Sequence, residues 1–199
     1  GVEWMEKPPE EATCPPGLEY LLDLEHVYVA RERKCFLGKR RSFSVRNVYS
    51  EMIYLAIETG QIDCQFVDHF ENTALAFHED WTFTGKNWVE LSNGHEIAFL
   101  EQSAGCYNDK HMVLDHDKKP VMYIEDGSAC CGEGAEAYTI LSPSQATIGS
   151  IAREPLGDKY RRPYKIRFPR DLDVNMKAAL IAMAMRLEIS EERRRSEYP

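Results

Sequence analysis

Ala178-Ala179-Leu180-Ile181-Ala182-Met183-Ala184-Met185 is the run on which the reading of this chain turns: eight consecutive apolar residues, preceded by Asp171 and Asp173 and followed by the charged stretch Glu191–Arg195. Ala, Leu and Met favour helix, and an Asp at the start accepts hydrogen bonds from free N–H groups. The run therefore predicts a helix from about Asp173 to about Arg195, its buried part over 173–190 with Val174, Ala178, Ile181 and Met185 in the core, and a charged tail over 191–199. A helix apolar on every side is buried, not laid on a surface. Eight such residues are also too few for a bilayer, which takes about 20. The economical solution is a sheet curled around the helix.

Working outward, the rest of the chain supplies that sheet. Short apolar segments recur between polar turns, spaced too tightly for intervening helices. Asn87–Gln102 is the clearest hairpin: Trp88, Leu91, Ile97 and Phe99 flank Asn93-Gly94, which predicts a type I′ turn. Phe43 and Val45, then Ile53, Leu55 and Ile57, alternate with polar neighbours on either side of 47–50. Met112–Leu114 with Val121–Ile124, and Tyr138–Leu141 with Ile148–Ile151, make two more pairs. Val27–Val29 and 66–83 add further strands. The fold expected is mainly β: a closed antiparallel barrel of about twelve strands wrapped around a central C-terminal α-helix, closure removing exposed strand edges. Residues 1–17, with Pro8, Pro9, Pro15 and Pro16 among glutamates, read as an extended lead-in to one domain over 18–190.

Composition bounds the partners. The chain has 199 residues, 43% hydrophobic and 29% charged, with a net charge of -9, which opposes nucleic-acid binding because that affinity rests on Lys and Arg. Six dispersed cysteines fit reduced thiols in a cytosolic compartment better than a disulfide framework. No stretch has the basic start and apolar middle of a signal peptide.

Two long runs carry a family resemblance. Cys14-Pro-Pro-Gly-Leu-Glu-Tyr-Leu21 and Phe168-Pro-Arg-Asp-Leu-Asp-Val-Asn-Met-Lys-Ala178 resemble the opening and closing signatures of phospholipid scramblases, and Ala129-Cys-Cys-Gly132 is similar to that family's Cys-Cys-Gly segment. The resemblance covers about 4–185 and is loosest over 60–86. It implies a twelve-stranded barrel around a C-terminal helix, similar to the tubby fold. By resemblance the function is ATP-independent, bidirectional movement of phospholipids between leaflets at the cytoplasmic side of the plasma membrane or another membrane, by a lipid translocator and not a conventional enzyme. The alternative is a non-catalytic lipid- or protein-binding module on the same fold, cytosolic if not anchored. The family's Ca²⁺ loop corresponds to Tyr160, Arg161, Arg162 and Pro163, with Asp171 as the retained acidic end, and its palmitoylated cysteine cluster corresponds to 83–87, where this chain has no cysteine.

From the residues themselves, Arg31, Arg33, Lys34, Lys39, Arg40 and Arg41 form a basic stretch suited to lipid phosphates; its bland alternative is a solvated loop. Cys130 and Cys131 are candidates for palmitoylation or thiolate–metal binding, against two reduced cysteines in a Gly-flanked turn. His111, Asp115, His116 and Asp117 are the densest His/Asp group, read as a hairpin turn. Cys106 with His111 and Asp115 has the residue types of a nucleophilic triad but neither a strand-to-helix elbow nor a Gly-rich oxyanion loop.

Overall fold

Each apolar segment bounded by turn signals becomes a strand. In chain order they are β1 (His26–Arg31), β2 (Ser42–Arg46), β3 (Met52–Glu58), β4 (Cys64–Val67), β5 (Thr73–Glu79), β6 (Asn87–Leu91), β7 (Glu96–Ser103), β8 (Lys110–Leu114), β9 (Pro120–Asp126), β10 (Ala137–Leu141), β11 (Thr147–Arg153) and β12 (Tyr164–Arg167), followed by α1 (Val174–Glu197). The structure, a computed structural model, describes residues 2–32, 42–59, 63–79, 86–103, 110–127, 137–160 and 162–197, with the backbone alone at 103 and 192–197. Every strand pairs antiparallel with its sequence neighbours, and β1 closes the barrel on β12 through Val27↔Ile166 and Val29↔Tyr164.

The apolar run lies inside. Ala178 through Met185 have no solvent exposure at all. They meet inward side chains such as Val29, Phe66, Phe77, Val89, Leu100 and Ile140 in one continuous core. Burying Leu180, Ile181, Met183 and Met185 stabilises the fold by about 1.5–3 kcal/mol apiece. As expected from the sequence, Asp173 caps the helix: its Oδ1 accepts the N–H groups of Asn175 at 2.9 Å and Met176 at 3.4 Å. The helix runs to Glu197, close to the expected end near Arg195, so the charged residues continue it. Its first turn beyond the core is held because Glu188 and Glu191 both pair with Arg153 on β11.

Five hairpins share one turn. At 47–51, 68–72, 91–95, 115–119 and 142–146 the first N–H donates to the fifth carbonyl, the fourth N–H donates back to the first carbonyl, and the fourth residue has positive φ (Ser50 68°, Glu71 64°, Gly94 81°, Lys118 61°, Gln145 64°). This is the three-residue loop in which a left-handed residue follows a type I turn. Asn93-Gly94 is therefore not a type I′ pair: only Gly94 is left-handed, and Asn93 uses its Oδ1 to accept His95 N–H at 3.0 Å. At three of the turns an Asx side chain, Asn47, Asp68 or Asp115, accepts two N–H groups within the loop, which offsets the cost of a left-handed non-glycine residue. All five turns lie at one end of the barrel, and the strand ends away from them lie at the other.

The lead-in is docked on the barrel. Glu3 and Met5 bond to Met52 through the backbone (2.8 and 2.9 Å). Gly17, at φ +91°, passes so close to β5 that a Cβ would sit 2.8 Å from that of Ala74, which explains a glycine in the Cys-Pro-Pro-Gly run. Its carbonyl accepts the Tyr54 hydroxyl at 2.5 Å. A 3-10 turn, Glu19–Leu21, then covers the turn end of the barrel. Lys177, with no solvent exposure, reaches that cover: its ammonium donates to the carbonyls of Leu21, Leu22 and Leu24 at 2.9 Å and of Arg170 at 2.7 Å. Burial draws the lysine below its usual range, and the four carbonyls are what make a charge tolerable there.

Two substitutions test this packing. Ile181→Asp places an unpaired carboxylate in the core and is expected to abolish folding, at a cost of several kcal/mol; soluble protein with unchanged melting contradicts the enclosure. Lys177→Met strands the carbonyls and is expected to lower stability by about 1–3 kcal/mol or more in denaturant titration.

Candidate functional site

At the end of the barrel where α1 emerges, the inward positions change from apolar to polar. Strand register continues the inner face from Phe43 to Arg31, from Cys64 to Glu58, from Asn87 to Glu79, from His111 to Gln102 and from Tyr138 to Asp126. Opposite these, the helix turns from Met185 to Arg186, Glu188 and Glu191. The barrel thus has a dry half, filled by the apolar run, and a charged rim around the helix exit.

Arg153 organises that rim. Its guanidinium pairs with Glu188 and with Glu191 (2.8 Å), donates to Arg162 O at 2.7 Å and lies 3.5 Å above the Tyr164 ring. The Tyr164 hydroxyl donates to Glu191. Burial works against the arginine's charge, but Tyr164, Glu188 and Glu191 outweigh it and hold the cation more firmly than in water. Burial likewise pushes the Tyr164 phenol far above its ordinary range. Arg153 and Tyr164 therefore stay protonated and act as donors at this rim.

A second polar cluster is built on Glu32, next to Arg31 in the chain. The buried Glu32 carboxylate accepts Ser44 Oγ and Tyr160 OH at 2.6 Å and Arg46 Nη2 at 3.1 Å. Leu156 and Tyr160 pack on Tyr28 and Ala30, so the β11–β12 connection folds against the outer face of β1. Burial opposes ionisation of Glu32, but the hydrogen bonds from Ser44, Tyr160 and Arg46 prevail and lower it.

The sequence-predicted site residues divide accordingly. Arg31 is exposed at the end of β1 on the helix-exit rim. Arg33, Lys34, Lys39, Arg40 and Arg41, together with Cys106, Cys130 and Cys131, lie outside the described residues. His111 is buried near the start of β8, whereas Asp115 and Asp117 belong to the turn beyond its other end, so the His/Asp group is dispersed. Val174 is half-buried, and Ala178, Ile181 and Met185 are core.

Ca²⁺ takes six to eight oxygen ligands, and the residues at the family position do not fit it. Tyr160 has committed its hydroxyl to Glu32, Arg162 and Pro163 bring no carboxylate, and β12 separates them from the exposed Asp171 at the opposite end. Among the described residues no group of three or more His, Cys, Asp or Glu is placed to hold a metal.

Sequence reasoning missed Glu32–Arg46–Tyr160, Arg153–Glu191 and Lys177. Isolated charges inside otherwise apolar strands and helix were the available signal; their partners, up to 128 residues away, were not legible.

Comparison with known proteins gives the following. A family model described as Scramblase matches residues 5–191. Phospholipid scramblase 2 of Homo sapiens is 21% identical, over 91% of this chain and 72% of its own length. Phospholipid scramblase 1 of Homo sapiens is 22% identical over 91% and 67%, and that of Mus musculus 29% over 91% and 65%. The chain thus spans about two thirds of these relatives. An Arabidopsis thaliana protein solved by X-ray crystallography shares the fold, with a TM-score of 0.50 and 11% identity over 82% of this chain and 91% of its own.

The Glu32 cluster predicts a pH dependence. With its folded value held below the ordinary 4.5, Glu32 contributes stability above that pH and loses it as pH falls through the folded value. Glu32→Gln is expected to melt lower than the wild type at pH 7, by about 1–3 kcal/mol in stability, with the gap closing on acidification. A gap that is constant with pH contradicts the ionised pairing.

Proposed function

The chain belongs to the scramblase family, and on that premise we propose that it moves phospholipids between membrane leaflets in both directions without ATP. The match across nearly the whole barrel and helix carries this reading. The phospholipid scramblases among its relatives supply the substrate class. The proposed contact is the helix-exit end, where the exposed Arg31 offers a cation to lipid phosphates; Arg33, Lys34, Lys39, Arg40 and Arg41 are proposed to share that role. Proposed sites of lipid attachment are Cys130 and Cys131.

A second reading has its own observation. The lumen is filled by α1, and among the described residues no helix is long and apolar enough to cross a membrane. With the helix in place a headgroup has no route along the barrel axis. This favours a lipid- or protein-binding module that stays at the membrane surface and transports nothing.

The two readings separate in vesicles carrying a fluorescent phospholipid. Translocation predicts that added protein accelerates exchange of the label between leaflets without ATP. Because the family's Ca²⁺ positions do not fit that ion here, Ca²⁺ is expected to leave the rate unchanged. Protein that sediments with vesicles but leaves the label where it began removes the translocation reading and keeps the binding module.

A further inference from the structure

Beside the N-terminal strap, at the turn end of the barrel, large apolar side chains stand in the open. Among the described residues the exposed large hydrophobics are Val2 (41%), Val48 (46%), Tyr49 (80%) and Phe70 (62%), and all belong to the strap or to the 47–51 and 68–72 turns beside it. A groove of about 370 Å³ runs between strap and turn, its walls including Val2, Trp4, Glu6, Lys7, His69 and Phe70. That volume is within the range of small-ligand sites.

Three rings follow one another along the groove, Trp4 to His69 at 5.2 Å and His69 to Phe70 at 5.4 Å between centroids. Both walls are held by backbone bonds. Met52 fixes the strap through Glu3 O and Met5 N, and Asp68 Oδ1 accepts Phe70 N–H and Asn72 N–H at 2.9 Å. The two charged side chains in the groove have opposite sign, Glu6 and Lys7, and Lys7 makes only a solvent-exposed pair with Glu10 at 3.1 Å.

Aromatic faces attract cations within about 6 Å of the ring centre and suit quaternary ammonium groups in particular. A carboxylate beside the rings adds to that attraction, and a lysine at the same groove supplies a partner for phosphate. Glu3 on the strap, Glu51 on the 47–51 turn and Glu71 on the 68–72 turn add negative charge to this end of the barrel, which opposes an anionic headgroup more than a zwitterionic one.

We propose that this groove binds a phosphocholine group, its trimethylammonium against the rings of Trp4, His69 and Phe70 beside Glu6 and its phosphate toward Lys7. The inference rests on the reading of the chain as a phospholipid-handling protein, and adds the headgroup chemistry that reading leaves open. The groove lies at the opposite end of the barrel from Arg31, so it is a lipid contact separate from the helix-exit one; when the turn end faces a bilayer, Val48 and Tyr49 on the neighbouring turn reach the interfacial layer where aromatic side chains are favoured.

The test titrates the full chain with soluble phosphocholine and follows backbone and indole N–H resonances. Saturable shifts are expected at Trp4, His69 and Phe70. Phe70→Ser, an exposed position whose melting should stay at the wild-type value, is expected to weaken binding by about two- to fivefold, the size of one exposed ring–cation contact. Phosphoethanolamine, lacking the methyl groups, is expected to bind more weakly, and phosphatidylcholine vesicles to shift the same resonances in competition with free phosphocholine. The proposal is overturned by no saturation, by equal response to phosphoethanolamine or inorganic phosphate, by vesicle binding that ignores competing phosphocholine, or by preference for an arginine-rich peptide. Soluble phosphocholine is read without a bilayer, so its failure leaves the vesicle exchange result standing, and the reverse holds.

Discussion

A helix without a polar side can be kept from water only by being enclosed all the way round. Ala178–Met185 imposes that constraint, and the closed ring of strands satisfies it. An open sheet would cover one face of the helix and leave β1 and β12 as unpaired edges. Closure answers both demands with one set of hydrogen bonds. It also leaves the two barrel mouths as the places where the helix must be joined to solvent, and each mouth is handled differently.

At the turn end the helix begins under a cover of backbone carbonyls, and Lys177 joins cover to helix. At the other end the apolar helix gives way to Arg186, Glu188 and Glu191, and Arg153 locks the exit. A buried ammonium and a buried guanidinium therefore bracket the apolar run. Each is costly to desolvate and each is surrounded by acceptors, so both fix the axial position of the helix. A scramblase barrel built this way has its lumen occupied by its own helix.

Much of this was legible. The unbroken run at 178–185 required enclosure, alternation around Phe43 and Val45 and around Ile53 and Leu55 marked strands, and Asp173 marked the helix start. Turn geometry was legible only in part. Gly94 announces positive φ, but Ser50, Glu71, Lys118 and Gln145 adopt it because neighbouring side chains and the ladder enforce it, not through their own preference. The helix end near Arg195 was legible, but the anchoring of Glu191 was not, since its partners Arg153 and Tyr164 come from β11 and β12. The polar clusters escaped for the same reason: Tyr160 reaches Glu32 across most of the chain, and nothing local to either residue advertises the other. The basic stretch and the cysteine pair were visible as composition, which names a chemistry without placing it.

Amide hydrogen exchange over 178–185 in protein free of lipid tests the enclosure most directly. Inside the barrel these amides open only when the whole fold opens, so their exchange free energies should equal the global stability measured by denaturant and remain so when vesicles are added. Rapid exchange in water, or protection that appears only with lipid, would place the helix outside the strands and contradict the architecture on which the functional reading stands.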